Sequence, residues 1–170
     1  MKKPVGTLLS SFLVFALIVA LAGAFPAPPL AGHELTPVAK WLVGIGLATV
    51  FTHAGKAIVT NRITGAGTEP KYVAWGTGAG TAAATDTTLF TESTEESRTL
   101  GTSSRVTTSQ TNDTYQVVGT ITVATTNKTI TNAGLFDAAT GGNLFMKGDF
   151  TGIALNVGES IQFTMKVQFT

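Results

Sequence analysis

The closing segment, residues 160–170, alternates without interruption: Ile161, Phe163, Met165, Val167 and Phe169 fall on one side of an extended chain, Gln162, Thr164, Lys166 and Gln168 on the other. A two-residue period is the mark of a strand buried on one face. The same Thr-rich, Gly-punctuated style runs back to about Lys71 and predicts further strands over residues 71–75, 105–110, 115–124, 128–136 and 143–150. In the second half of this stretch Val117, Gly119, Ile121 and Val123 form one face, with Gln116, Thr120 and Thr122 opposite. Thr140-Gly141-Gly142 and Asn156-Val157-Gly158 read as turns. Short alternating strands at this spacing predict a mainly β fold, an antiparallel jelly-roll-like β-sandwich.

The front of the chain is written differently. Residues 8–24 are almost wholly Leu, Val, Ala, Phe and Ile, with Lys2 and Lys3 before them and Ala22-Gly23-Ala24 at the end. A basic start, an apolar middle and a small-residue site are the parts of a secretory signal. The same stretch reads as an uncleaved anchor in contact with a membrane, although its length is marginal against the roughly 18 to 20 apolar residues that span a bilayer. Phe25-Pro26-Ala27-Pro28-Pro29 cannot continue a helix, since proline lacks the amide donor and restricts the residue before it. Thr36 as N-cap and Pro37 at the first helical position then predict a helix through Trp41, Leu42, Ile45, Leu47, Val50 and Phe51 to about Val59. Gly44 and Gly46 weaken it by about 1 kcal/mol each, and the glycines of Gly65-Ala66-Gly67 stop it. Three parts follow: an apolar, partly helical N-terminal extension with its Pro-rich link over 1–36, a helix over 37–60, and a sandwich over 61–170. The sandwich, with its own alternating strands, is expected to stand without the residues before 38.

Composition narrows the function classes. Charged residues make up 12% of the chain, about half the usual share of a soluble domain. A formal net charge of +1 gives no concentrated basic field, so nucleic acid is not an expected partner. Cysteine is absent, which removes thiolate nucleophiles, disulfides and Cys-based zinc sites. Gly76-Thr77-Gly78-Ala79-Gly80 invites a phosphate-loop reading, but it lacks the Gly-Lys-Ser/Thr ending and a following helix, so an ordinary flexible loop is expected. Glu92, Glu95 and Glu96, with Arg98 and Arg105 nearby, form an acidic cluster in a Ser/Thr-rich stretch. Paired carboxylates serve glycosidases only when both face one cavity; a solvated loop or ion pairs at a subunit boundary is the expectation here. His33 and His53 have no partners at triad or metal spacing. Asp113, Asp137 and Asp149 are read as turn caps before calcium ligands, and the sequons at Asn112 and Asn127 are what a Thr-rich chain produces by chance. No catalytic residue, metal, cofactor or small-molecule substrate is assigned.

Four ordered blocks carry a resemblance: Gly67-Thr68-Glu69-Pro70-Lys71-Tyr72-Val73-Ala74-Trp75-Gly76-Thr77-Gly78, Asn112-Asp113-Thr114-Tyr115-Gln116-Val117-Val118-Gly119-Thr120-Ile121, Ala133-Gly134-Leu135-Phe136-Asp137-Ala138, and Gly158-Glu159-Ser160-Ile161-Gln162-Phe163-Thr164. Over about residues 54–170 the chain resembles small structural proteins of tailed bacteriophages, which include capsid cement or decoration proteins and tail-associated proteins. The resemblance implies a jelly-roll-like sandwich without catalytic motif, placed on the capsid surface of the virion. Its expected partners are the major capsid protein shell and further copies of itself, a trimer before a dimer. The residues before Thr36 depart from the pattern. They are expected to be the attachment device, with Leu9, Phe12, Phe15, Ile18, Leu21 and Trp41 making the capsid or membrane contact. A tail, baseplate or fibre component is the alternative within the virion; a secreted or membrane-anchored adhesin is the alternative outside it.

Overall fold

A computed structural model of the chain describes residues 15–22, 39–41 and 48–170. In chain order these form β1 (Phe15–Ala22), β2 (Ala39–Trp41), β3 (Ala48–Phe51), α1 (His53–Ile63), β4 (Tyr72–Gly76), β5 (Thr99–Leu100), β6 (Thr102–Val106), β7 (Thr114–Thr122), β8 (Lys128–Phe136), β9 (Leu144–Leu155) and β10 (Ser160–Gln168). All pairings between these strands are antiparallel. The first sheet runs β2-β1-β10-β7-β6 and the second β3-β9-β8-β4-β5.

The alternation in β10 is what joins the two sheets. Ile161, Phe163, Met165 and Val167 are buried, while Gln162 on the other face is exposed and Thr164 and Lys166 are half-buried. Val117, Ile121 and Val123, along and just beyond β7, share the core with them, and the second sheet supplies Val73, Trp75, Ile130, Leu135, Phe145 and Phe150. The rings of Phe150 and Phe163, one from each sheet, lie 6.4 Å apart. Each large side chain placed there contributes roughly 1.5 to 3 kcal/mol of burial. Two antiparallel sheets thus enclose one core, as a β-sandwich. The alternation fails at its last member: the strand ends at Gln168, the Phe169 amide donates to the Asp113 carbonyl at 2.9 Å, and the Phe169 side chain is 46% exposed.

Two expectations for the front of the chain are corrected. Residues 15–22 are a strand rather than part of a helix, and β1 lies against β10 with Leu17 opposite Met165, Val19 opposite Phe163 and Leu21 opposite Ile161. An unbroken apolar run fits strand and helix equally by pattern; here β10 offers an open row of backbone donors and acceptors that a strand satisfies. Opposed residues share a side of a sheet, so positions 15, 17, 19 and 21 fall on the core side and 16, 18 and 20 on the outer side. Phe15, Ile18 and Leu21, expected at the capsid or membrane contact, lie on β1. Trp41 lies on β2, opposite Ala20. Leu9 and Phe12, the Pro-rich link, and Thr36 with Pro37 lie outside the described residues.

The helix begins later than predicted. Val50 and Phe51 belong to β3, which pairs with β9, and the helix starts at His53 with Thr52 as its N-cap. Thr49 and Val50 are β-branched and suit a pleated edge. Thr52 is fully buried, its hydroxyl accepts from the Gly55 amide at 2.9 Å and also donates to the Leu144 carbonyl, fastening the helix start to β9. The predicted stop holds, with Gly65 at φ +79° just past the helix. No helix among the described residues is long and apolar enough to cross a membrane.

Candidate functional site

Much of β4, β8 and β9 in the second sheet is buried on both faces, because residues 77–98 lie across the outer side. Leu89 there joins Ala74, Phe136 and Leu144 in a second, smaller apolar cluster. Two buried polar residues hold this covering segment in place. Asn132, on β8 next to a shift in the β8–β9 register, accepts from the Phe90 amide at 3.1 Å and donates to the Gly78 and Phe90 carbonyls at 3.1 and 3.0 Å. Lys147, on β9, has no exposed side-chain surface; its ammonium lies 2.9 Å from Asp86 Oδ2, 3.2 Å from the Thr88 carbonyl and 2.9 Å from the centroid of the Phe90 ring. Burial works to raise the Asp86 pKa, but hydrogen bonds from Lys147 and the Ala83 amide outweigh it and the net shift is downward. A buried ammonium is tolerable only with such a partner.

The glycine run is part of the same device. The amides of Thr77 and Gly78 donate to the Thr91 and Phe90 carbonyls at 3.0 and 2.9 Å, so they are committed inside the chain. A β-carbon on Gly78 would stand 2.6 Å from Thr91 Oγ1, and one on Gly80 2.5 Å from the Phe90 ring. These glycines allow a close approach of backbone to loop, and the expected flexible loop is instead tied down.

The acidic cluster sits at the end of this segment as a set of attachments, of which those of Glu95 and Glu96 share Lys128. Arg98 binds Glu92 through two nitrogens at 2.6 and 3.0 Å, lies 3.4 Å above the Phe136 ring, and donates to the Ala138 and Gly141 carbonyls. Glu95 accepts from Lys128 Nζ at 2.5 Å and from the hydroxyls of Thr125 and Thr126. These donors, Lys128 first, hold its pKa down to about 2. Glu96 is buried; desolvation alone would raise its pKa, but the Ser93 hydroxyl, the Ala124 amide and Lys128 lower it on balance. The ion pairs are within one chain, and they join the covering segment to the β7–β8 and β8–β9 connections.

A depressed pKa means stability that is full above the ordinary carboxylate range and lost as pH falls through the folded value. For Glu95 that window runs from its ordinary 4.5 down to about 2. Changing Glu92, Glu95 and Glu96 together to glutamine is accordingly expected to lower the unfolding temperature at pH 7 and to flatten its fall between those pH values. This replaces the neutral outcome that a solvated loop implies, and thermal unfolding across pH checks it.

A concave feature elsewhere on the described residues is apolar. A groove of about 360 Å³ lies between the end of α1 and the end of β10, lined among others by Val59, Ile63, Pro70, Tyr115, Phe145 and Phe169. Ile63 is 81% exposed, and Phe169 forms the opposite rim. The Tyr115 hydroxyl donates to Glu69 at 3.2 Å and to the Pro70 carbonyl at 2.9 Å, and burial, followed by the Glu69 charge, pushes its pKa up. Its ring stands edge to face with that of Phe145, their centroids 6.1 Å apart, giving the groove an aromatic floor.

The remaining sequence candidates are structural where they are described. Asp113 accepts from the amides of Thr108, Ser109 and Gln110, Asp137 from Asn143 and Asp149 from Ala82, each at 2.9 Å or less. His53 is exposed at the first turn of α1; His33 lies outside the described residues. Arg105 is exposed on β6, away from the acidic cluster's pairs. Among the described residues no group of three or more His, Cys, Asp or Glu could hold a metal ion. Sequence reasoning missed Asn132 and Lys147. For Lys147 a signal was present, since it directly follows the apolar run Leu144-Phe145-Met146; Asn132 sits beside Thr131 in a strand with other polar residues and gave none. No protein-family model, curated protein or solved structure matches the chain.

Proposed function

We propose that this chain is a non-enzymatic structural protein of a phage virion, a capsid cement protein whose jelly-roll-like sandwich stabilises the shell. The observation that carries the reading is the contrast between its two kinds of surface feature. The carboxylates of the acidic stretch are engaged in internal ion pairs and amide hydrogen bonds, whereas Ile63 and Phe169, two of the four exposed large apolar side chains among the described residues, rim one groove. Surface of that kind suits a macromolecular contact. The four blocks that carry the phage resemblance fall on β4, β7, the end of β8 and the start of β10, so the likeness is one of framework. A cement protein binds the assembled shell and not its dissociated subunits, so the binding free energy stabilises the shell.

The test is co-sedimentation with expanded, empty phage shells. The parent chain is expected to bind, and Ile63→Asp with Phe169→Asp to bind at least tenfold more weakly while unfolding at the same temperature, since both side chains face solvent. Copy number in purified particles then separates a cement protein, at hundreds per virion, from a tail, baseplate or fibre component. Undiminished binding by the double variant would remove the groove from the contact. A mature chain that begins near Phe25 would make residues 1–24 a signal and favour the secreted adhesin.

A further inference from the structure

Within the segment that covers the second sheet, one stretch is held differently from the rest. No helix or strand lies between β4 and β5, and none of residues 79–88, Ala-Gly-Thr-Ala-Ala-Ala-Thr-Asp-Thr-Thr, is buried. Leu89, just past its end, is the first side chain to join the smaller apolar cluster. A stretch with so little apolar burial is held by its polar contacts and belongs to the low-stability end of a structure.

The two ends of the stretch are fixed by neutral groups. The Gly78 amide donates to the Phe90 carbonyl, and the Asn132 side chain bonds both residues, so Gly78 and Phe90 form a closed base. Beyond that base, four hydrogen bonds reach the body of the sandwich. Asp149 on β9 accepts from the Ala82 amide at 2.7 Å, and the His53 amide at the start of α1 donates to the Ala84 carbonyl at 2.8 Å. Lys147 on β9 makes the other two, to Asp86 Oδ2 at 2.9 Å and to the Thr88 carbonyl at 3.2 Å. Asp149 stands two residues from Lys147 on the same side of β9, with the neutral Asn132 opposite it on β8, and the His53 ring is exposed. Asp86, which also accepts from the Ala83 amide, is thus the carboxylate paired with the buried ammonium.

We infer that residues 79–88 are a flap released by acid: protonation of Asp86 strands the Lys147 ammonium, and the flap lifts on its base at Gly78 and Phe90 while both sheets stay folded. A charge that loses its partner in a dry site is costly, and opening returns it to water. Leu89 stays beside the pinned base, so no large apolar side chain has to leave the core. The sign follows from Asp86, whose pKa in the closed form lies below its ordinary 3.8 because the hydrogen bonds from Lys147 and Ala83 outweigh burial. The closed flap is therefore fully favoured above that value. Below it, opening takes up a proton, and the opening equilibrium rises by up to about tenfold per pH unit. This inference stands independently of the place of the protein in a virion.

Amide hydrogen exchange of the full-length chain, followed by NMR from about pH 6 to about pH 2 and expressed as protection relative to an unstructured chain, tests the flap. The amides of Ala82, Ala83 and His53 bond to Asp149, Asp86 and the Ala84 carbonyl and report its opening. Their protection is expected to fall by up to about tenfold per pH unit below the ordinary Asp86 value, while the amides of β7 and β10 keep theirs. Equal losses in flap and strands at each pH would make the event unfolding of the whole sandwich and overturn the inference. So would flap protection that does not change with pH. Asp86→Asn combined with Lys147→Met removes both the titrating group and the charge it answers, and should flatten the pH dependence in the flap with β7 and β10 protected as in the parent. The parent's slope persisting in that variant would show that Asp86 is not the latch.

Discussion

Met165→Asp is expected to abolish folding, while Lys166→Asp, one residue along the same strand, leaves the sandwich intact. Met165 is 1% exposed and stands between Leu17 on β1 and Val117 on β7, in the middle of the shared core. A carboxylate there loses the burial of the methionine and carries an unpaired charge into an apolar site. The combined cost of roughly 5 kcal/mol or more is as large as the entire stability of many domains, about 5 to 15 kcal/mol. Lys166 is half-buried on the outer face, and its replacement is expected to change stability by no more than about 0.5 kcal/mol. Urea unfolding of both variants checks the pair. Equal midpoints would show that the face assignment of β10 is wrong.

Asp86→Asn is expected to be the most damaging change among the polar residues, and a second substitution is expected to repair it. With the carboxylate gone, the Lys147 ammonium keeps neutral partners, the Thr88 carbonyl, the Phe90 ring and at best the new amide oxygen, but has no counter-charge in a site that water does not reach. Breaking a buried pair from one side costs about 3 to 5 kcal/mol, and the partial exposure of Asp86 places this case near the lower figure. Adding Lys147→Met removes the orphaned charge and keeps the length of the side chain, so the double variant should recover most of the loss. The parent is expected to depend on pH through the same pair. The Asp86 pKa is lowered in the folded chain, so the stabilisation is complete above its ordinary value of 3.8 and declines as pH falls below it. Chemical denaturation of the parent, single and double variants at pH 7 measures the cycle. A double variant no more stable than Asp86→Asn would mean that the pair is not what holds the covering segment.

The strands are legible where one face meets water. The pattern over residues 128–136 predicts a strand with the bounds that β8 has, and the inward row of β7 and β10 follows from alternation alone. Legibility ends where burial is two-sided or where a neighbour decides. β1 is apolar at every position, so its period is silent, and only the open edge of β10 makes it a strand. The helix start is ambiguous in sequence because Thr36 and Thr52 offer the same capping chemistry; the Leu144 carbonyl, 92 residues away in sequence, selects Thr52. The acidic cluster is visible as charges, but its partners Lys128, Ala124 and the turn at Gly141 come from other parts of the chain. Lys147 follows Leu144-Phe145-Met146 in a buried strand, and that placement could have been read as a demand for a counter-charge.

The segment across the second sheet also gives the sandwich a front and a back. With residues 77–98 lying across the outer side of the second sheet, the outer face that β6, β7 and β10 present is the polar one, with Ser104, Gln116, Thr120, Gln162 and Thr164 on it. Copies that approach one another, or a flat support, therefore have one β face to meet rather than two alike. A body with two unlike faces has a direction of its own, so whatever lies flat against it meets either the roofed side or the polar pleated one.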